Sequence, residues 1–316
     1  MIRYYNKVDG KLIELEEVNE ACWINISPPF NVEELEDFAQ LYNFPLDFLT
    51  DSLDMDERSR YEREEDVRFI LINTPILNEA EGENESIYIT IPVGIILTPE
   101  HFITISSVEH NPVLDKFIQN KIKSFDPTDE SQFMLNILEQ NVYRFLSCLK
   151  KLNLKRNLIE KELYYSSRNR ELRQLLSIEK SLVYFVNSLN ANELLKMKMK
   201  RTDFLNIRND EDKADLFEDI IIDNGQALEM ANVYSNILSG TMDAYASIIS
   251  NNLNVTIHRL TLVTIFLAVP TLIASLYGMN VKLPFKDSDF TFYLILVFSV
   301  IVSILMGWYF QRKRLF

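Results

Sequence analysis

The chain has 316 residues, of which 46 are acidic and 32 basic, for a formal net charge of −14. That balance excludes a nucleic-acid partner and suits a protein that gathers cations. Two distant cysteines without Cys-x-x-Cys spacing and three scattered histidines exclude a disulfide framework and a zinc centre.

No apolar stretch opens the chain, so no signal peptide is expected. Residues 1–125 hold seven of the ten prolines. These punctuate short β-branched and aromatic runs: Ile2–Tyr5, Lys11–Leu15, Cys22–Ile26, Val67–Thr74, Ile87–Leu97 and His101–Ser106. Asn31–Tyr42 reads as a helix, with Asn31 as cap and Glu33 and Glu34 in the first turn, and Pro45–Leu53 as a second. Mixed strands and helices predict an α+β domain, a mixed sheet with helices. Glu79, Glu81, Glu83 and Glu85 fall in an acidic hairpin loop.

After Pro127 no proline occurs until Pro270, and no glycine between Gly94 and Gly225, so the next stretch is helical by exclusion. Residues 126–209 predict an antiparallel hairpin of two long helices, Asp129–Leu163 and Arg170–Lys200, with apolar residues at threes and fours. Lys196, Lys198, Lys200 and Arg201 read as its solvated basic end. From Asp210 a single helix continues to Tyr277, its cytoplasmic stalk covering 210–259. Seven carboxylates open it, including Asp219, more than the helix dipole needs.

Residues 260–281 carry no charge, roughly 33 Å of helix, which spans a bilayer. The first transmembrane helix is therefore placed at 260–280. Its polar residues form a stripe that reaches back into the stalk: Asp243, Ser247, Ser250, Asn254, Ile257, Thr261, Thr264, Ala268, Thr271, Ser275 and Gly278. The alternating steps of three and four give a 3.5-residue period, the seam of a left-handed bundle. One reading is packing glue between membrane helices. The other is a water-filled pore lined by the same face in several subunits. A carboxylate repeated about an axis is costly unless water or cations meet it, which favours the pore. Ile257, the large apolar member, would form a constriction.

The loop 281–289 has no net charge, and 290–311 form a second uncharged run of 22 residues. Phe292 and Tyr293 at one end and Trp308 and Tyr309 at the other read as interfacial belts. Ser299, Ser303 and Gly307 offer a small-residue face toward the first span. The basic tail 312–316, Arg312-Lys313-Arg314, fixes both termini in the cytoplasm of a multi-pass cell (inner) membrane protein.

The ending Tyr277-Gly278-Met279-Asn280, with two C-terminal spans and a long soluble N-terminal part, resembles the signature of the CorA family of divalent-cation (magnesium) transporters. The likeness runs well from about Asp212 to Phe316 and loosely through the N-terminal third. Asp56–Glu62 is also similar to a family pattern, with Ser59 where the family often has proline. The resemblance implies a funnel-shaped homopentamer taking up magnesium down the membrane potential, with no enzymatic activity; no P-loop is present. It assigns ion selectivity to Gly278, Met279 and Asn280. It also assigns Asp219 to a regulatory magnesium site shared with a neighbouring subunit, for which Glu79, Glu81, Glu83 and Glu85 are candidate partners. The external loop has Leu283-Pro284-Phe285 instead of the acidic Met-Pro-Glu pattern of many magnesium importers, so cobalt, nickel or zinc remain alternative cargoes. A non-transporting, membrane-anchored coiled-coil scaffold is the more distant alternative.

Overall fold

The computed structural model describes residues 1–18, 22–79, 85–122, 125–165, 169–279 and 290–312. The chain divides into two compact units, Met1–Gly240 and Thr241–Phe316.

The first unit is built on seven strands: β1 (Ile2–Val8), β2 (Lys11–Leu15), β3 (Trp23–Ile26), β4 (Arg60–Glu64), β5 (Val67–Leu77), β6 (Tyr88–Leu97) and β7 (Phe102–Ser106). Their spatial order is β2-β1-β3-β7-β6-β5-β4. Among the described residues β3 and β7 pair in parallel and every other pairing is antiparallel. The helices are α1 (Val32–Leu41), α2 (Asp47–Thr50), α3 (Leu114–Ile118), α4 (Glu130–Tyr165), α5 (Asn169–Thr202) and α6 (Glu211–Tyr277).

The central strands are buried on both faces and read as near-continuous apolar runs. Their period-2 alternation divides them between two cores. Phe69, Leu71, Ile96, Ile103 and Ile105 pack against Leu35 and Phe38 of α1 and Phe48 and Leu49 of α2. Trp23, Ile70, Ile72, Val93 and Ile95 join Phe133 and Leu138 of α4, Leu195 of α5 and Phe217 of α6. The sheet and the long helices therefore share one core. Asn31 caps α1 as expected, its Oδ1 accepting from the Glu33 N–H at 3.2 Å. Gly94 in β6 is required by close approach, because a Cβ there would overlap the Ser52 side chain.

Two features depart from the sequence reading. β4 was not expected: Arg-Tyr-Glu-Arg-Glu has the charge of a loop, but it forms the outer strand against β5, where charged side chains discourage further pairing. Pro75 was expected to end its strand, yet β5 runs through it to Leu77. This is tolerated because β4 pairs with β5 only as far as Leu71, leaving an edge where proline costs no ladder bond. Helix side chains cap that edge. The Asn192 amide of α5 accepts from the Asn73 N–H at 3.1 Å and donates to the Asn73 carbonyl at 2.9 Å. Arg144 of α4 donates to the Pro75 carbonyl at 3.2 Å.

In the second unit, α6 continues unbroken to Tyr277 with Pro270 inside it, and α7 spans Thr291–Arg312. Both helices contain stretches long and apolar enough to cross a membrane.

Candidate functional site

The polar stripe lies on the membrane-length half of α6. From Asp243 to Gly278 all eleven of its positions are exposed in the protomer. A different face meets α7: Leu262, Ile265, Phe266 and Val269 line a small apolar gap with Ser303, Met306, Gly307 and Phe310. At 100° per residue the mean direction of Thr261–Gly278 on the stripe lies roughly 140° from that contact face. The hydroxyl stripe is thus not what joins the two helices within a protomer. That joint is made by the small-residue face of α7, where Ser299 and Ser303 are buried and a Cβ on Gly307 would come 2.5 Å from the Phe266 ring.

The stripe hydroxyls have a fixed polarity. Thr261, Thr264 and Thr271 donate to the carbonyls of Ile257, Leu260 and Leu267 at 2.9, 2.9 and 2.7 Å. Ser247 does the same to Asp243 at 3.1 Å. With the proton spent on the backbone, each oxygen turns only lone pairs outward. The face is therefore an acceptor surface, which attracts cations and the O–H groups of cation-bound water. Ile257, 50% exposed, and Ala268 are the stripe's apolar members.

At the end of α6 the Gly278 N–H donates to the Ala274 and Ser275 carbonyls at 2.9 and 3.2 Å. A Cβ at Gly278 would meet only those two oxygens, at 3.5 Å, and its backbone is not left-handed. Nothing among the described residues of the protomer demands glycine there. Met279 is exposed. Asn280 and the loop 281–289 lie outside the described residues, as do Lys313 and Arg314. At the far end of α7, Arg312 sits over the Trp308 ring, 5.1 Å from its centroid.

In the first unit Asp219 is exposed near the start of α6. Some of the carboxylates there are answered by lysines: Lys200 pairs with Glu218, and Lys213 pairs with Asp129 at 2.8 Å and with Asp210 at 3.8 Å. Asp219 and Asp223 have no cationic partner among the described residues. They face Tyr143 on α4, whose phenol is pushed up by Glu139 first, then by burial, with Asp223 and Asp219 adding to it. Tyr143 donates to Glu139 at 3.3 Å. The sequence reading missed Glu139 and Tyr143, which lie some 80 residues from Asp219 and carry no motif. Among the described residues no group of three or more His, Cys, Asp or Glu is placed to hold a metal ion. Glu79 and Glu85 are exposed at either end of the β5–β6 turn, while Glu81 and Glu83 lie outside the described residues.

A cleft of about 840 Å³ beside β4 and α5 is bordered by Arg58, Lys198 and Arg201 over Asn73, Thr90 and Ser188. Asp56 and Glu57 stand on the same rim, so charges of both signs border it. Lys196, expected at a solvated helix end, is instead fully buried and hydrogen-bonded to Asn224 of α6. Cys22 and His101, read as isolated, lie 3.7 Å apart in the interior.

Over residues 18–313 the sequence matches the family described as CorA-like Mg2+ transporter protein. It is 28% identical to the cobalt/magnesium transport protein CorA of Methanocaldococcus jannaschii, over 96% of both chains. It is 24% identical to the magnesium transport protein CorA of Helicobacter pylori, covering 98% of this chain and 94% of that one. The fold superimposes on the complete structure of the M. jannaschii CorA magnesium transporter with a TM-score of 0.79 at 26% identity, covering 99% and 98% of the two chains.

Proposed function

The chain belongs to the CorA-like Mg2+ transporter family, and on that premise we propose that it carries divalent cations across a membrane, with magnesium as the principal cargo and cobalt accepted. It is not an enzyme. The observation that carries the reading is the α6 stripe, a line of outward-turned acceptors with Asn254 and Asp243 below the hydroxyls, on a face that α7 leaves free.

Magnesium binds oxygen and gives up its water reluctantly. An acceptor-lined path suits the hydrated ion because the metal-bound waters donate to the wall and the ion keeps its shell. Brought together in a homo-oligomer, a pentamer by family likeness, copies of the stripe would enclose such a path. Asn280 amides and Gly278 carbonyls would form the external mouth, with Met279 between them. Thr271, Thr264 and Asn254 would supply successive levels, with Asp243 concentrating cations at the inner end. Ile257 would close the path by dewetting. The membrane potential supplies the drive, about 2.3 kcal/mol per elementary charge per 100 mV and twice that for a dication. The basic end of α7 favours cytoplasmic termini in the cell membrane.

For regulation we assign Asp219 a role in binding cytoplasmic magnesium between subunits. Carboxylates without cationic partners repel one another across a subunit boundary unless a cation joins them. An ion that binds only the closed arrangement stabilises it by mass action.

The test is flux into sealed vesicles of the full-length protein under an inside-negative potential, comparing magnesium, cobalt, nickel and zinc. Magnesium and cobalt entry that is lost in Asn280→Ala is the expected result. Near-normal entry in a well-folded Asn280→Ala protein refutes the assigned mouth. Zinc or nickel entering in preference to magnesium refutes the cargo.

A further inference from the structure

Lys196 is the most unusual titratable group outside the stripe. It lies on α5 facing α6 and is fully buried, a position lysine almost never takes without a carboxylate partner. Its Nζ donates to Asn224 Oδ1 at 2.6 Å, the only hydrogen-bond partner it has among the described residues. Asn224, also fully buried, is oriented by its own Nδ2, which donates to the Leu189 carbonyl of α5 at 3.0 Å. The two side chains thus form one closed polar link across the α5–α6 seam, with Leu189 and Lys196 of α5 both held by a single amide of α6.

Among the described charged groups on α4, α5, α6 and the sheet, one acts on Lys196. On α5, Glu193 is the one carboxylate that acts on Lys196, and Lys200 is engaged by Glu218 of α6. Asp219 and Asp223 of α6 and Glu139 of α4 act on Tyr143, and none of them is a charge that acts on Lys196. From the sheet, Arg68 is held by Glu130. Among the described residues no carboxylate makes an ion pair with Lys196.

We propose that the Lys196–Asn224 link is a proton-operated latch between α5 and α6, closed when the amine is neutral and loosened when it is charged. That burial pulls the Lys196 ammonium down to about 7, against a weaker opposing pull from Glu193. The folded value lies below the unfolded one, so the open seam binds the proton more tightly than the closed seam. Above the folded value each unit of acidification then favours opening about tenfold, and the effect levels off below it once both states are charged. The latch acts on α6, the helix that carries Asp219 and the polar stripe, but it does not rest on the transport reading.

Hydrogen exchange of the full-length protein in lipid nanodiscs, corrected for intrinsic rates, tests this at α5–α6 seam amides near Leu189 and Asn224. Opening should rise about tenfold per pH unit from pH 9 to pH 7 and flatten below. Lys196→Met, of similar length without the charge, should abolish the slope, and so should Lys196→Gln, which keeps a donor for Asn224. A flat profile in the native protein overturns the proposal, as does the same slope in whichever of these variants folds.

Discussion

Gly278→Ala separates a demand made by the fold from a demand made by function. Among the described residues of the protomer an added Cβ would touch only the Ala274 and Ser275 carbonyl oxygens, at 3.5 Å, an ordinary van der Waals distance. The Gly278 backbone is not left-handed, and its N–H already bonds back into the helix as the last turn requires. Alanine should therefore fold at no steric cost and gain up to about 1 kcal/mol from helix propensity and reduced freedom of the unfolded chain. If Gly278 lines the ion mouth, however, each subunit adds a methyl group where a hydrated cation must meet bare carbonyls. We expect flux to fall at least tenfold, equivalent to about 1.4 kcal/mol on the entry barrier. Thermal unfolding and size-exclusion chromatography in detergent read the first quantity, and vesicle flux reads the second. Normal flux would remove Gly278 from the mouth. A loss of flux accompanied by a clear drop in melting temperature would show a folding defect instead and refute the reasoning.

Two further sets of substitutions test the remaining assignments. Single cysteines at Thr264, Thr271 and Asn254 should react with small water-soluble thiol reagents, while those at Ile265, on the α7-facing side, and Leu272, toward lipid, should not. The native Cys22 and Cys148 are buried and leave a low background. Equal labelling of both faces would leave only helix packing for the stripe. Asp219→Ala should weaken magnesium-dependent protease protection of the purified protein, and Asp219→Lys, which replaces the ion with a tethered charge, should make protection independent of magnesium. Wild-type magnesium dependence in Asp219→Ala would place the regulatory site elsewhere.

The long apolar helices, the residues that share the α6 face and most of the sheet were legible in the chain because each depends on local pattern. Twenty-two uncharged residues make a helix long enough to cross a bilayer. The steps of three and four fix which residues share a helix face, and β-branched and aromatic runs such as Val67–Thr74, bounded by turn residues, mark strands. What the tertiary structure decided depends on partners far apart in sequence. Arg60–Glu64 became a strand because β5 offered an edge to its backbone, which no pattern in its charged side chains announces. Asn192 caps the Asn73 backbone from 119 residues away. Lys196 reads from its neighbours as a solvated cation. Only the packing of α6 against α5 removes its water and leaves Asn224, 28 residues on, to hold it. Burial is set by what the rest of the chain brings alongside a residue, and so the titration of such a group is decided by the fold.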